Sequence, residues 1–215
     1  MRHRRLLIIS VLTLWASATV RGAVLFDFNN APIHTSLPID LTVDGIAAHF
    51  SATGQGFSIQ DTAQVIGVLP AGFSGLGINP NSVFAADLLV SFPQTTLSSF
   101  SIMYAPQELA TDSSATMKVT AFLNGTQVGS NTAVADPPGT WPSATLSFSS
   151  AQGFNSVVIH YQSPPPTGGD YGSIFVADNM LVTAIPEPST LVLSAIVLIS
   201  VARRQRVSQS PSHKL

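Results

Sequence analysis

The sequence contains no cysteine among its 215 residues. This absence excludes disulfide bonds and every mechanism that depends on a thiol. A body of about 160 residues is nevertheless large enough to be held together by an ordinary apolar core. Hydrophobic packing must therefore stabilise the fold, with a bound metal ion as the one remaining means of cross-linking it.

Basic residues are almost missing from the middle of the chain. Between Ala23 and Ile185 the sequence has ten acidic residues and one basic residue, Lys118, which gives a formal charge of −9. The other basic residues lie near the two ends. Nucleic-acid binding needs clustered Lys and Arg to displace counterions from the phosphates. We therefore expect no nucleic-acid partner.

Long uncharged apolar stretches are also missing, and the two short ones lie near the ends. The first, LLIISVLTLW at residues 6–15, follows the basic segment MRHRR and precedes ASA at residues 16–18. This order is typical of a secretory signal helix that signal peptidase removes. We predict a signal peptide at residues 1–22, with the cut after residue 18 or, following VRG, after residue 22. A buried N-terminal helix is the alternative, and the arginines fit it poorly.

The second uncharged stretch, residues 190–202, would span roughly 20 Å as a helix, against a hydrocarbon core of roughly 30 Å. Two prolines keep the chain before it extended, and Ser189 is a suitable N-cap. Arginines after it favour the cytoplasmic side of a membrane. The sequence predicts a short transmembrane helix at residues 190–202, a cytoplasmic stub at residues 207–215, and a membrane stop formed by Arg203, Arg204 and Arg206.

The segment IPEPSTLVLSAIVLISVARRQR, residues 185–206, resembles the PEP-CTERM sorting signal of Gram-negative and related bacteria. The resemblance implies recognition by an exosortase, a membrane enzyme that cleaves near the motif and passes the protein to the cell surface or extracellular polymer. The recognition element would be Pro186, Glu187 and Pro188. The protein would lie in the inner membrane during sorting, and later at the cell surface or in the extracellular matrix. The stub VSQSPSHKL departs from the usual pattern, and a plain single-span anchor is the alternative.

Between these ends, apolar and polar residues alternate with the period of two that is typical of β-strands. Turn residues separate the runs, among them Asp44-Gly45 and Asn124-Gly125. Short antiparallel strands at this spacing predict an all-β body, a jelly-roll-like β-sandwich at residues 23–184. The alternating runs are LTVDGIAAHFSA, DLLVSF, LSSFSIMY, TMKVTAFL, ATLSFSS, SVVIHYQ and IFVADNMLVTA.

The same runs carry a second resemblance. Together with VLFDFNN near the start and GFNSVVIHYQ before the last strand, they look like the exported β-sandwich domains that precede PEP-CTERM tails. Those domains are similar to jelly-roll, carbohydrate-binding-like folds. Because the shared features are loose strand patterns, the resemblance bears on architecture and leaves the activity open.

Residues with catalytic chemistry are few and scattered. The body's three histidines lack the spacing of a metal motif, and Gly72 to Gly77 is expected to be a loop. A glycosidase needs two carboxylates across a cleft, and the chain offers Glu108 and Asp112 in a turn-rich segment. We therefore predict that the protein is not an enzyme, with a secreted, glycosidase-like hydrolase as the alternative. The histidines are His34, His49 and His160.

Polar residues of the first and last strands suggest a metal site. Terminal strands of a jelly roll are often neighbours, so Asp27, Asn29 and Asp178 would meet and offer the oxygen ligands that calcium prefers. The competing interpretation is that Asp178 and Asn179 bond loop backbone at a sheet rim. No other cofactor is expected.

Aromatic residues near turns suggest a sugar-binding surface. Trp141 and Tyr171 are the candidate glycan contacts, because exposed rings stack on sugar faces, whereas large rings in small sandwiches mostly fill the core. The sequence thus favours an exported, non-enzymatic surface or matrix protein with extracellular polysaccharide as its candidate ligand. Ice binding is a weak third hypothesis, since regular Thr-x-Thr ranks are missing.

Overall fold

The computed structural model describes residues 22–107, 116–135, 141–162 and 174–186, and these ranges contain thirteen β-strands and one short α-helix. In chain order the elements are β1 (Val24–Phe26), β2 (Thr35–Ser36), β3 (Ile39–Val43), β4 (Ile46–Ala52), β5 (Phe57–Asp61), α1 (Thr62–Ile66), β6 (Leu76–Pro80), β7 (Leu88–Ser91), β8 (Leu97–Gln107), β9 (Thr116–Leu123), β10 (Thr126–Val134), β11 (Ala144–Phe154), β12 (Ser156–Tyr161) and β13 (Ile174–Ala184).

The strands form two antiparallel sheets. The first has the order β11-β8-β13-β6-β5-β2, with β1 paired to β13, and the second has the order β10-β9-β12-β7-β4-β3. This arrangement confirms an all-β, two-sheet antiparallel sandwich. It also confirms that the first and last strands are neighbours, with Val24 opposite Val182.

The predicted terminal helices, in the signal peptide at residues 1–22 and at residues 190–202, lie outside the described residues apart from Gly22. Within the described ranges, no helix combines the length and the apolar character needed to cross a membrane.

Both predicted hairpin turns are present. Asp44 and Gly45 have φ angles of 47° and 76°, and Asn124 and Gly125 have 50° and 81°. Positive φ at both central residues matches the twist of the flanking strands, which explains the Asp-Gly and Asn-Gly pairs. The turns set the register of β3 with β4 and of β9 with β10.

The main core lies between the sheets and follows the alternation of the sequence. In β4, Ile46, Ala48 and Phe50 are buried, as the hairpin pattern predicted. The rings of Phe26 and Phe28 meet that of Phe50 edge to face, with centroid distances of 6.1 and 5.4 Å. These contacts join β1 to the opposite sheet, so the aromatic cluster helps to hold the two layers together.

The segment from residue 57 to residue 80 was not fully predicted. The stretch from Gly72 to Gly77 was expected to be a loop, but Leu76 and Gly77 begin β6. The helix α1 was not predicted; it is a short helix that Asp61 caps by accepting a hydrogen bond from the Gln64 backbone N–H at 3.1 Å. Five residues are too few for a helical repeat to be visible in the sequence.

Candidate functional site

The last strand, β13, lies at the centre of the first sheet and carries the predicted metal ligand Asp178. The following residue, Asn179, has a φ of 49°, and the pairing with β8 shifts between Asp178 and Leu181. Asn tolerates this left-handed conformation better than most residues, so the bulge falls where the sequence has Asn179. Asp178 is only 1% exposed.

Asp178 and Asn179 bind the loop that precedes β6. The Ser74 backbone N–H donates to Asp178 Oδ2 at 2.9 Å, and the Asn179 side-chain amide donates to the Gly72 carbonyl at 2.8 Å. Asn179 also donates its own backbone N–H to Asp178 Oδ1 at 2.7 Å. The two side chains therefore form hydrogen bonds with the backbone of the loop, which is one of the two interpretations left open by the sequence.

Of the other two predicted ligands, Asn29 contacts this loop and the start of β6, whereas Asp27 hydrogen-bonds within its own segment. Asn29 Oδ1 accepts a hydrogen bond from the Leu76 backbone N–H at 3.0 Å, and Asp27 Oδ1 accepts one from the Asn29 backbone N–H at 3.2 Å. The fold thus brings Asn29 and Asp178 to one loop and places Asp27 close enough to affect the Asp178 carboxyl group, and an oxygen of each side chain accepts a backbone N–H. Among the described residues, no group of three or more His, Asp or Glu side chains is arranged to hold a metal ion. Calcium binding by the three residues stays a prediction.

Burial has a large effect on the Asp178 carboxyl group. The pKa of Asp178 is raised to about 6, mainly by desolvation; the hydrogen bonds from Ser74 and Asn179 oppose this rise, and the Asp27 carboxylate adds to it. Desolvation dominates because a buried carboxylate loses its hydration. The loop is therefore fastened by a group that changes charge within a mildly acidic range.

This pKa predicts how the stability depends on pH. The unfolded carboxyl has a pKa of about 3.9, so its protonated form is favoured in the folded state, and that contribution is lost as the pH rises from about 4 to about 6. Relative to Asp178→Asn, the wild type should lose roughly 3 kcal/mol of unfolding free energy over this range. Urea unfolding of both proteins between pH 4 and pH 7 measures the difference. A difference that does not vary with pH would contradict the assignment.

Trp141, the first predicted glycan contact, lies on the outer face of the first sheet. The sequence left open whether its ring is exposed or packed, and the side chain is only 8% exposed. Its ring belongs to a second apolar cluster with Phe73, Ala105, Ile174 and Val176. No local sequence pattern indicates this cluster, because its members come from segments far apart in the chain.

The Trp141 side chain also lines a groove of about 370 Å³, here called the Trp141 groove. One wall is apolar and the rim includes an amide and a hydroxyl group. Asn81 is held in place by donating its side-chain N–H to the Gln55 carbonyl at 3.2 Å. Tyr171 lies outside the described residues, three positions before Ile174. The groove is lined by Val65, Ile66, Pro80, Asn81, Ser82, Val83, Trp141 and Ile174.

A second groove, of about 550 Å³, was not foreseen from the sequence. It lies where β8, β10, β11 and β13 come together, and hydroxyl groups dominate its lining. The alternating serines of LSSFS and LSFSS were the available signal, since their side chains must face away from the core. Its lining residues are Ser99, Phe100, Ser101, Ser130, Asn131, Ser147, Phe148, Ser149 and Leu181.

The remaining candidates do not converge on one site. His34, His49 and His160 each bond a different side chain through Nδ1, at 2.8, 2.8 and 2.7 Å, and the partners are Gln60, Asp40 and Asp87. Glu108 and Asp112 lie outside the described residues, so the hydrolase alternative is not decided by their geometry.

Comparison with known proteins identifies the C-terminal segment. Residues 184–207 match the PEP-CTERM protein-sorting motif, and this match contains the recognition element that the sequence predicted. This motif implies an exported protein that is sorted to the cell surface, and processing by an exosortase. No curated protein matches the chain.

Solved structures match the body at low similarity. A mutant of the family 29 carbohydrate-binding module CBM29-2 is 9% identical, with 75% of this chain and 92% of the module aligned and a TM-score of 0.34. TmCBM61 in complex with β-1,4-galactotriose is 8% identical, with 65% and 88% aligned and a TM-score of 0.38. The isomalto-dextranase of Arthrobacter globiformis T6 is 16% identical, with 62% and 22% aligned and a TM-score of 0.36. Such values give no information about a ligand or an activity of this chain.

Proposed function

We propose that this protein is exported through its N-terminal segment, residues 1–22, and held in the inner membrane by residues 190–202 until an exosortase processes it. The match to the sorting motif at residues 184–207 carries this proposal. Support comes from the arginines that follow the apolar stretch, since positive residues favour the cytoplasmic side. The sandwich then remains at the cell surface or in the extracellular matrix.

At that location, the sandwich binds extracellular polysaccharide in the Trp141 groove. The supporting observation is that Trp141, Asn81 and Ser82 line the same groove. Sugar binding needs an apolar surface for the C–H faces of the ring, and a few polar groups that orient the hydroxyls. The groove offers both, although little of the Trp141 ring is exposed.

The ligand is an uncharged polysaccharide. None of the side chains that line the Trp141 groove is ionisable. The body as a whole has a formal charge of −9, which repels polyanions. A neutral glycan therefore fits the groove better than a uronic-acid polymer or a sulfated one.

A charge placed on the rim tests the groove. Val83 is 39% exposed, so Val83→Glu should leave the fold intact while it brings a carboxylate next to a bound sugar. We expect retention on neutral polysaccharide to fall about tenfold, a loss of about 1.4 kcal/mol. Affinity electrophoresis of the protein recovered from the host surface, in gels containing neutral polysaccharide from the host matrix, measures the retention.

The matched control is Val134→Glu, which adds the same charge at a valine of β10 that is 52% exposed and does not line the groove. Polysaccharide in the gel should retard this variant as much as the wild type. Gels without polysaccharide correct for the mobility change that the added charge causes by itself. If both variants and the wild type were retained equally, the Trp141 groove would not be the binding site. A wild type that no matrix polysaccharide retards would refute polysaccharide binding itself.

A further inference from the structure

The folded body ends where the sorting motif begins. Ala184 is the last residue of β13 and also the first residue of the motif match. β13 pairs with β8 from Ile174 to Ala184 on one side, and with β1 and β6 on the other. Val182 is fully buried, and Ala184 is almost so. The chain therefore passes from a central strand into the motif without a linker.

One further residue, Ile185, is fixed to the body. Its backbone N–H donates to the Thr96 carbonyl at 2.8 Å, one position beyond the end of β13. A Cβ atom at Gly153 would lie 2.7 Å from Ile185 Cδ1 and 2.5 Å from Thr96 Cγ2. The two side chains therefore pack directly on the Gly153 backbone. Thr96, Gly153 and Ile185 are here called the junction latch.

An enzyme that cleaves a peptide bond must bind the chain in an accessible form. A central strand of a sheet opens only in events that approach global unfolding, whereas fraying ends open at little cost. Because cleavage requires this rare opening, the stability of an ordinary domain slows cleavage of the strand by roughly a thousandfold or more. The bonds from Ile174 to Ile185 are therefore protected while the body is folded.

We propose that the junction latch sets the upstream limit of exosortase processing, so that the bond that breaks lies C-terminal to Ile185. In this step the C–N bond of a peptide group breaks. The acyl carbon is transferred to water or to an amine acceptor, and the released nitrogen gains a proton to become a new N-terminus. The proposal rests on exosortase processing of this chain. It adds that the peptide bonds from Ile174 to Ile185 are not accessible to the enzyme.

The wild-type protein gives the first test. The form recovered from the surface of the host is analysed by intact mass and by sequencing of its C-terminal peptide. We expect every processed chain to contain the whole of β13 and Ile185, and to end at residue 186 or later. Processed chains that end at or before Ile185 would overturn the latch proposal alone. A chain that stays full length would overturn both the latch and the sorting account.

The second test loosens the latch with Gly153→Ala, whose new Cβ pushes against Thr96 and Ile185. Gly125→Ala is the matched control, because Gly125 has a φ of 81° against 80° at Gly153 but an added Cβ there meets nothing within 4 Å. Both variants therefore place alanine at a positive φ of about 80°. In Gly153→Ala, we expect about a tenth or more of the processed chains to end at Ala184 or Ile185.

The Gly125→Ala protein should keep the wild-type boundary. An identical boundary in Gly153→Ala would show that the latch does not set the limit and would overturn the proposal. If Gly153→Ala is not recovered from the surface, the C-terminus of the processed wild-type protein still tests the proposal. An end at residue 186 or later supports it, and an end at or before Ile185 overturns it.

Discussion

Replacing Pro186, Glu187 and Pro188 together by alanine should abolish processing, so that the full-length chain accumulates in the inner membrane. Proline disfavours helix at its own position and before it, and Glu187 is the one acidic residue between the body and the arginines. If these residues form the proposed recognition element, the variant no longer offers it to the enzyme, while the proposed membrane stop at Arg203, Arg204 and Arg206 is unchanged. We expect the processed form to fall to less than about a tenth of its wild-type amount, a loss of more than about 1.4 kcal/mol in recognition.

Immunoblots of inner-membrane and surface fractions from the host measure this change. The control replaces Ser208, Gln209 and Ser210 by alanine, because these three positions follow the residues that match the sorting motif. The control protein should be processed like the wild type. Normal amounts of processed protein from the triple variant at residues 186–188 would show that the enzyme does not recognise these residues.

Phe50→Ala should destabilise the sandwich by about 3 to 5 kcal/mol, which is the usual cost of removing a buried aromatic ring. Phe50 has no exposed surface, and its ring meets those of Phe26 and Phe28 across the two sheets. The cavity left by the substitution lies at the contact between the layers. Since no disulfide supports the fold, packing losses here are not offset elsewhere.

Urea unfolding followed by circular dichroism gives the change in unfolding free energy. Phe84→Ala is the matched control, because Phe84 is 42% exposed and lies outside the main core. Its effect should stay within about 0.5 kcal/mol. Equal losses for the two variants would mean that the aromatic cluster does not stabilise the contact between the sheets.

Much of the fold could be predicted because its signals are local. Alternation of apolar residues revealed the longer strands, and the pairs Asp44-Gly45 and Asn124-Gly125 marked their turns, because these residues tolerate positive φ. The short elements α1 and β6 escaped detection. Their conformation depends on contacts with β13 and with the loop around Ser74. Such tertiary contacts are not visible in a local sequence pattern.

The candidate sites were predicted less well than the fold. The pairing of the terminal strands, and hydrogen bonds of Asp178 and Asn179 with loop backbone, were among the interpretations that the sequence offered, and the structure has both. The hydrogen bond from the Leu76 backbone N–H to Asn29 was not predicted. For Trp141 the sequence left exposure and burial both open, because turn residues surround the ring while large rings mostly pack in cores. The ring packs on an apolar patch of the first sheet that only the tertiary structure brings together.

Export and sorting are the central claim, and a mass spectrum of the protein recovered from the host surface tests them most directly. The account predicts a chain that begins after residue 18 or residue 22, retains Ile185, and lacks the arginines at positions 203, 204 and 206. A chain running from Met1 to Leu215, recovered from the soluble cytosolic fraction, would contradict it.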